Sequence, residues 1–146
     1  MILLNYTNSS SQPYSFRSFN FTAGSTAVTV TFSLINHNAF WLLDNVSLID
    51  VNTSSSLIQN GDFETGNLTN WNYCNPNSTS NSSRVAQNGT LRSFSGQYFY
   101  RGAPYPYPDF LSQTVSTYIG HLHTLSFWFG KSATSATNRF IVTIFA

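Results

Sequence analysis

Apolar and polar residues alternate along most of the chain, the period of a strand with one face buried. Phe19, Phe21 and Ala23 alternate with Asn20 and Thr22. Val28, Val30, Phe32 and Leu34 alternate with Thr29, Thr31 and Ser33. Leu125, Phe127 and Phe129 fall on one face of a strand, as do Phe140, Val142 and Ile144. The same phase points Ile2, Leu4 and Tyr6 inward and Asn5 outward. It groups Phe40, Leu42, Val46 and Leu48, leaving Asn45 and Ser47 on the other face. No segment has the period of a helix. Turn-rich stretches separate the strands at 8–13, 23–25, 36–38, 52–56, 75–83 and 131–138. Many short strands at this spacing predict an all-β antiparallel sandwich or barrel. The longest loop is expected at about 74–88, where an unstructured segment of that length would be uncommon.

Composition sharpens this picture. Charged residues are 8% of the chain and aromatic residues 16%, so a core is available while the surface is poor in charge. A net charge of +1 gives no basic footprint for nucleic acid or an anionic membrane. Ser, Thr and Asn supply about 37% of the 146 residues. The triplet Asn-X-Ser/Thr, the acceptor for N-linked glycans, occurs at Asn5, Asn8, Asn20, Asn45, Asn52, Asn67, Asn77, Asn81 and Asn88. The predicted strand phase sets Asn5, Asn20 and Asn45 toward solvent, where a glycan fits. These features predict a secreted, extracellular glycoprotein. No apolar run approaches the roughly 18 residues of a membrane helix. No basic and apolar leader precedes Asn5, so the sequence is expected to be a processed piece or one unit of a longer chain. Cys74 is the only cysteine. It is expected near the surface, as a packed or capped thiol rather than a bond between units.

The phrase LIQNGDFE at 57–64, followed by TGNLTNW at 65–71, resembles the first strand of galactose-binding-like jelly rolls, which include many carbohydrate-binding modules. LSQTV at 111–115 and LSFWF at 125–129 are similar to that family's middle strands. FNFTA at 19–23, FSL at 32–34 and WLLDNVSL at 41–48 resemble its ending, which here comes first. Residues 1–51 therefore read as the C-terminal part of a jelly-roll unit, 52–56 as a linker, and 57–146 as the N-terminal part of a unit. A tandem repeat read out of frame, a protomer exchanging strands with its neighbour, and a self-closed circular permutant all give this order. The first two lead to head-to-tail contacts and a filament. The chain also resembles secreted repeat proteins of aquatic invertebrates.

The resemblance implies a structural Ca²⁺ held by Glu64 of the opening phrase and Asp44 of the closing one, with Asp62 and the backbone near Asn60 adding oxygens. It implies, as an alternative, a sugar platform of Trp71, Tyr98, Tyr100, Tyr105 and Tyr107, with Tyr73 beside them; packing in a core or between units is the competing use of so many rings. His121 and His123 share a strand face, but no third metal ligand is placed by spacing. Asp50 and Asp109 lie in no acid–base motif, and the nucleophile elbow Gly-X-Ser-X-Gly is absent. The expected function is structural and non-enzymatic: a subunit of an extracellular, glycan-coated fibre whose partners are other copies of itself. The alternative is a carbohydrate-binding module.

Overall fold

A computed structural model describes residues 1–78 and 83–145. Among them are ten strands: β1 (Ile2–Thr7), β2 (Gln12–Thr22), β3 (Ala27–Asn36), β4 (Trp41–Asp50), β5 (Asn72–Cys74), β6 (Arg84–Gln87), β7 (Tyr98–Gly102), β8 (Asp109–Ser116), β9 (Leu122–Lys131) and β10 (Asn138–Phe145). They form two antiparallel five-stranded sheets, β1-β10-β3-β8-β5 and β2-β9-β4-β7-β6. The all-β antiparallel sandwich read from the alternation is the fold. Setting aside the short edge strands β5 and β6, the order is compatible with an eight-stranded jelly roll.

Alternation places the core between the sheets. Val28, Val30, Phe32 and Leu34 of β3 face Leu125, Phe127 and Phe129 of β9, and all seven are fully buried. Phe32 meets Phe127 edge-on at 5.3 Å, and Phe129 stacks on Phe140 at 5.0 Å. Trp41 fills one end and donates its indole N–H to the Ile35 carbonyl (2.9 Å). A buried indole needs such an acceptor.

Both halves of the sequence enter both sheets. β10 lies between β1 and β3, and β9 lies between β2 and β4. A single chain therefore completes the sandwich. Strands of 1–51 pack on strands of 57–146 within the chain, the self-closed arrangement. Residues 52–56 are an exposed turn, with Ser56 bridged to Ile49.

Four local expectations are corrected. Residues 57–64 form no strand: Asn60 (φ 51°) and Phe63 (φ 58°) take left-handed backbone, which breaks an extended segment. β4 carries a bulge between Asp44 and Ser47 that shifts its phase by one residue. Trp41 and Leu43 therefore share the inner face with Val46 and Leu48, while Phe40 is only half-buried before the strand begins. A bulge between Ile2 and Leu4 leaves Ile2 exposed. The loop 74–88 contains β6, paired to β7.

The pairings set two poles. Met1, Phe145 and the turns 23–26, 51–56 and 117–121 meet at one; the turns 8–11, 37–40, 103–108 and 132–137 meet at the other. Met1 N donates to the Ile144 carbonyl at 2.6 Å.

Candidate functional site

The sequons are distributed over the surface. Asn5, Asn8, Asn20, Asn52, Asn67 and Asn77 are exposed, Asn45 and Asn88 are half-buried, and Asn81 lies outside the described residues. Their amide groups differ in their hydrogen bonds. Asn45 sits in the β4 bulge rather than on the regular outer face expected for it, and its Nδ2 donates to Ser95 Oγ (2.9 Å). Asn52 Nδ2 donates to Asp50 Oδ1, and Asn88 Nδ2 to the Gly96 carbonyl, each at 3.0 Å. Asn20 and Asn67 instead use their oxygens. Asn20 Oδ1 accepts from Thr124 Oγ1 (2.8 Å), and Asn67 Oδ1 accepts from the Thr69 amide (2.8 Å).

The four acidic and amide residues considered for Ca²⁺ have other partners. Asp44 is on the outer face of β4 and is fully buried beneath the segment 92–97. Its Oδ2 accepts from the Phe94 and Ser95 amides (2.8 and 3.1 Å), and its Oδ1 from the Asn45 amide (2.8 Å). Glu64 Oε1 accepts from the Gln97 and Tyr98 amides (2.8 and 2.9 Å). Asp62 Oδ1 accepts from the Glu64 amide, and Asn60 Nδ2 donates to the Asn67 and Thr69 carbonyls. The two main carboxylates thus clamp 94–98 onto the sandwich. Ca²⁺ takes six to eight oxygens, and these side chains do not fit it as a set. Among the described residues, no three His, Cys, Asp or Glu side chains gather for a metal. Burial, outweighing the three amides, pushes the Asp44 carboxyl up to about 6.

The aromatic candidates separate. Trp71 stacks on Phe63 (5.7 Å) in the core, with its indole N–H on the Asn60 carbonyl, and Tyr100 is fully buried against Phe63. Neither ring is open to a sugar. Tyr98 is half-buried over Gly66. Tyr105 and Tyr107 are exposed at the pole opposite Met1, where Tyr105 stacks on His37 at 4.3 Å. An unanticipated aromatic group lies on the outer face of the second sheet. Phe94 stacks flat on Trp128 (3.7 Å, 12°), with Phe16 and Tyr14 beside them. Its signal was in the alternation: Phe16 and Trp128 are out of phase with the core positions Phe21, Phe127 and Phe129.

His121 and His123 converge on Asp50, a pairing that spacing did not show. His121 Nδ1 is 2.8 Å from Asp50 Oδ2. His123 is fully buried, uses Nδ1 on the His121 carbonyl (3.0 Å), and sets Nε2 3.9 Å from the same carboxylate oxygen. The Asn52 amide, followed by His121, holds the Asp50 carboxyl down at about 2. Asp109 is buried beneath Tyr73 Oη (3.0 Å) and the Ser83 amide (2.9 Å), and desolvation raises its pKa. Cys74 is exposed on the three-residue edge strand β5, so it is not packed as expected.

The fold is an all-β sandwich of two antiparallel sheets with Asn-X-Ser/Thr triplets spread over its surface. The chain matches no protein-family model, no curated protein and no solved structure.

Proposed function

We propose that the chain is a structural module of an extracellular, heavily N-glycosylated fibre or matrix, in which complete sandwiches meet pole to pole. The observation that carries this reading is the placement of the sequons. Of the eight sequon asparagines among the described residues, none is in the core, and six are exposed. With only 8% charged residues, attached sugar is the natural source of solubility. Strand exchange is not required, because each chain closes its own sandwich. Cohesion then comes from the poles. One exposes Met1, Ile2, Tyr118, Ile119, Leu122 and Phe145; the other exposes Tyr105 and Tyr107. Two different apolar ends favour head-to-tail contact, which does not close on itself and extends into a filament. The reading assigns no catalytic step and requires no added group except glycan. Intact mass of the secreted protein before and after enzymatic deglycosylation tests the coat. Loss of several glycans is expected, and a shift of one glycan or none overturns it. Light scattering tests the contact: the parent should form extended oligomers that Ile119→Asn shortens.

A second reading has one observation in its favour. The Tyr105–His37 stack with Tyr107 beside it is an exposed ring surface of the kind that packs on sugar. As a carbohydrate-binding module, the protein would lose polysaccharide affinity in Tyr105→Ala and Tyr107→Ala while keeping its fold.

A further inference from the structure

We infer that the glycan on Asn20 lies along the outer face of the second sheet and packs its sugar rings on Phe16 and Trp128. The inference rests on the glycosylation reading above. On β2, Phe16, Ser18 and Asn20 alternate outward. The register sets them opposite Trp128, Ser126 and Thr124 of β9, and Ser126 in turn opposite Ser47 of β4. One stripe of the sheet thus runs from a sequon, across small hydroxyl side chains, to an aromatic platform.

Three features orient a glycan along this stripe. Thr124 Oγ1 donates to Asn20 Oδ1 at 2.8 Å, which fixes the amide plane at the start of the stripe. The distance from Asn20 to Phe16 is four residues of strand, about 13 Å, within reach of the first few sugars of any N-linked chain. Ser18, Ser126 and Ser47 offer hydroxyls to sugar hydroxyls without bulk. The platform itself is otherwise unexplained. Phe16 is 49% exposed and Phe94 40% exposed, yet both are ordered against Trp128, at 5.4 and 3.7 Å. Asp44 holds Phe94 there through its amide. Rings fixed in place at a water-facing surface suit the apolar C–H face of a pyranose, which gains from burial against them. Asn45 borders the platform, but its nitrogen is already bonded to Ser95.

Trp128 reports the contact. The other two tryptophans, Trp41 and Trp71, are buried, so acrylamide quenching of the folded protein reads mainly Trp128. The secreted glycoprotein is compared with Asn20→Gln and with Thr22→Ala, which removes the sequon but keeps Asn20. Glycopeptide mass spectrometry gives the occupancy of Asn20, and Trp128→Phe confirms the origin of the quenched emission. An occupied Asn20 with a higher Stern–Volmer constant in both variants is the expected result. An occupied Asn20 with unchanged quenching overturns the packing and leaves the glycosylation reading standing. An unoccupied Asn20 overturns both at this site.

Discussion

Two buried carboxylates titrate in opposite senses. Asp44 has no cation beside it, and burial raises its folded pKa from 3.8 to about 6. A folded pKa above the unfolded one means that the native state binds the proton more tightly, so stability falls as pH rises from about 4 through 6. Asp50 is held at about 2 by the Asn52 amide and His121. Its contribution is present above about pH 4 and is lost as pH falls toward 2. The urea midpoint should therefore rise between pH 2 and 4 and fall between 4 and 6. Asp44→Asn should flatten the upper limb and Asp50→Asn the lower one; a parent midpoint that climbs steadily from pH 4 to 6 contradicts the assignment. Cys74 gives a simpler prediction at this scale. It is exposed on an edge strand, and a thiol reacts according to its access. In reducing-agent-free buffer, the native protein should react with a thiol reagent at the same stoichiometry as the urea-unfolded protein. Labelling seen only in urea would place the thiol inside.

At the scale of elements, the join between β4 and the segment after it depends on one glycine. A Cβ on Gly61 would lie 1.9 Å from the Val46 carbonyl oxygen, a backbone atom that cannot swing aside. Gly61 O also accepts from the Val46 amide (2.8 Å), next to the β4 bulge. Gly61→Ala should destabilise by about 1–3 kcal/mol or more, as overpacking does. Gly24→Ala, with nothing within 4 Å, should be near neutral. Equal urea midpoints for the two variants would remove the contact from the account. The same join shows why some elements were legible in the sequence and others were not. β3, β9 and β10 alternate without interruption, so side-chain phase alone identifies strand and buried face. β4 changes phase at a bulge in its pairing with β9, far along the chain, which no local pattern carries. The same holds for the acidic residues: Asp44 takes its amides from a segment 50 residues on, so spacing could show it as a ligand but not as a clamp. Sequons are triplets and were readable one by one. Whether Asn45 faces solvent depended on the bulge. Trp71 and Tyr100 are indistinguishable by composition from Tyr105 and Tyr107, and only tertiary packing separates buried rings from exposed ones.

Closure of the whole molecule within one chain can be tested by moving the break. The two segments meet at two places. At one, Met1 and Ile144 exchange backbone hydrogen bonds at 2.6 and 2.8 Å, as neighbours across a hairpin do. At the other, residues 51–56 form an exposed turn that contributes no core side chain. Exposed turns tolerate new ends, and adjacent ends tolerate joining. A permutant that starts at Leu57, runs through Ala146, crosses a short Gly/Ser linker to Met1 and ends at Val51 keeps every strand pairing of both sheets. It should fold with the strand spectrum of the parent by circular dichroism, at a lower thermal midpoint, because leaving out 52–56 removes the Ser56–Ile49 bridge and the Asn52 hydrogen bonds to Asp50 but no strand pairing of either sheet. In the Ile119→Asn background, where pole-to-pole contact is weakened, both chain orders should show a midpoint independent of concentration, because each chain contains the whole core. If adjoining chains exchange segments instead, folding is coupled to association and the midpoint rises with protein concentration. A midpoint that still shifts in that way in the Ile119→Asn background, or a permutant that fails to fold at any concentration, would show that the sandwich is not closed by one chain.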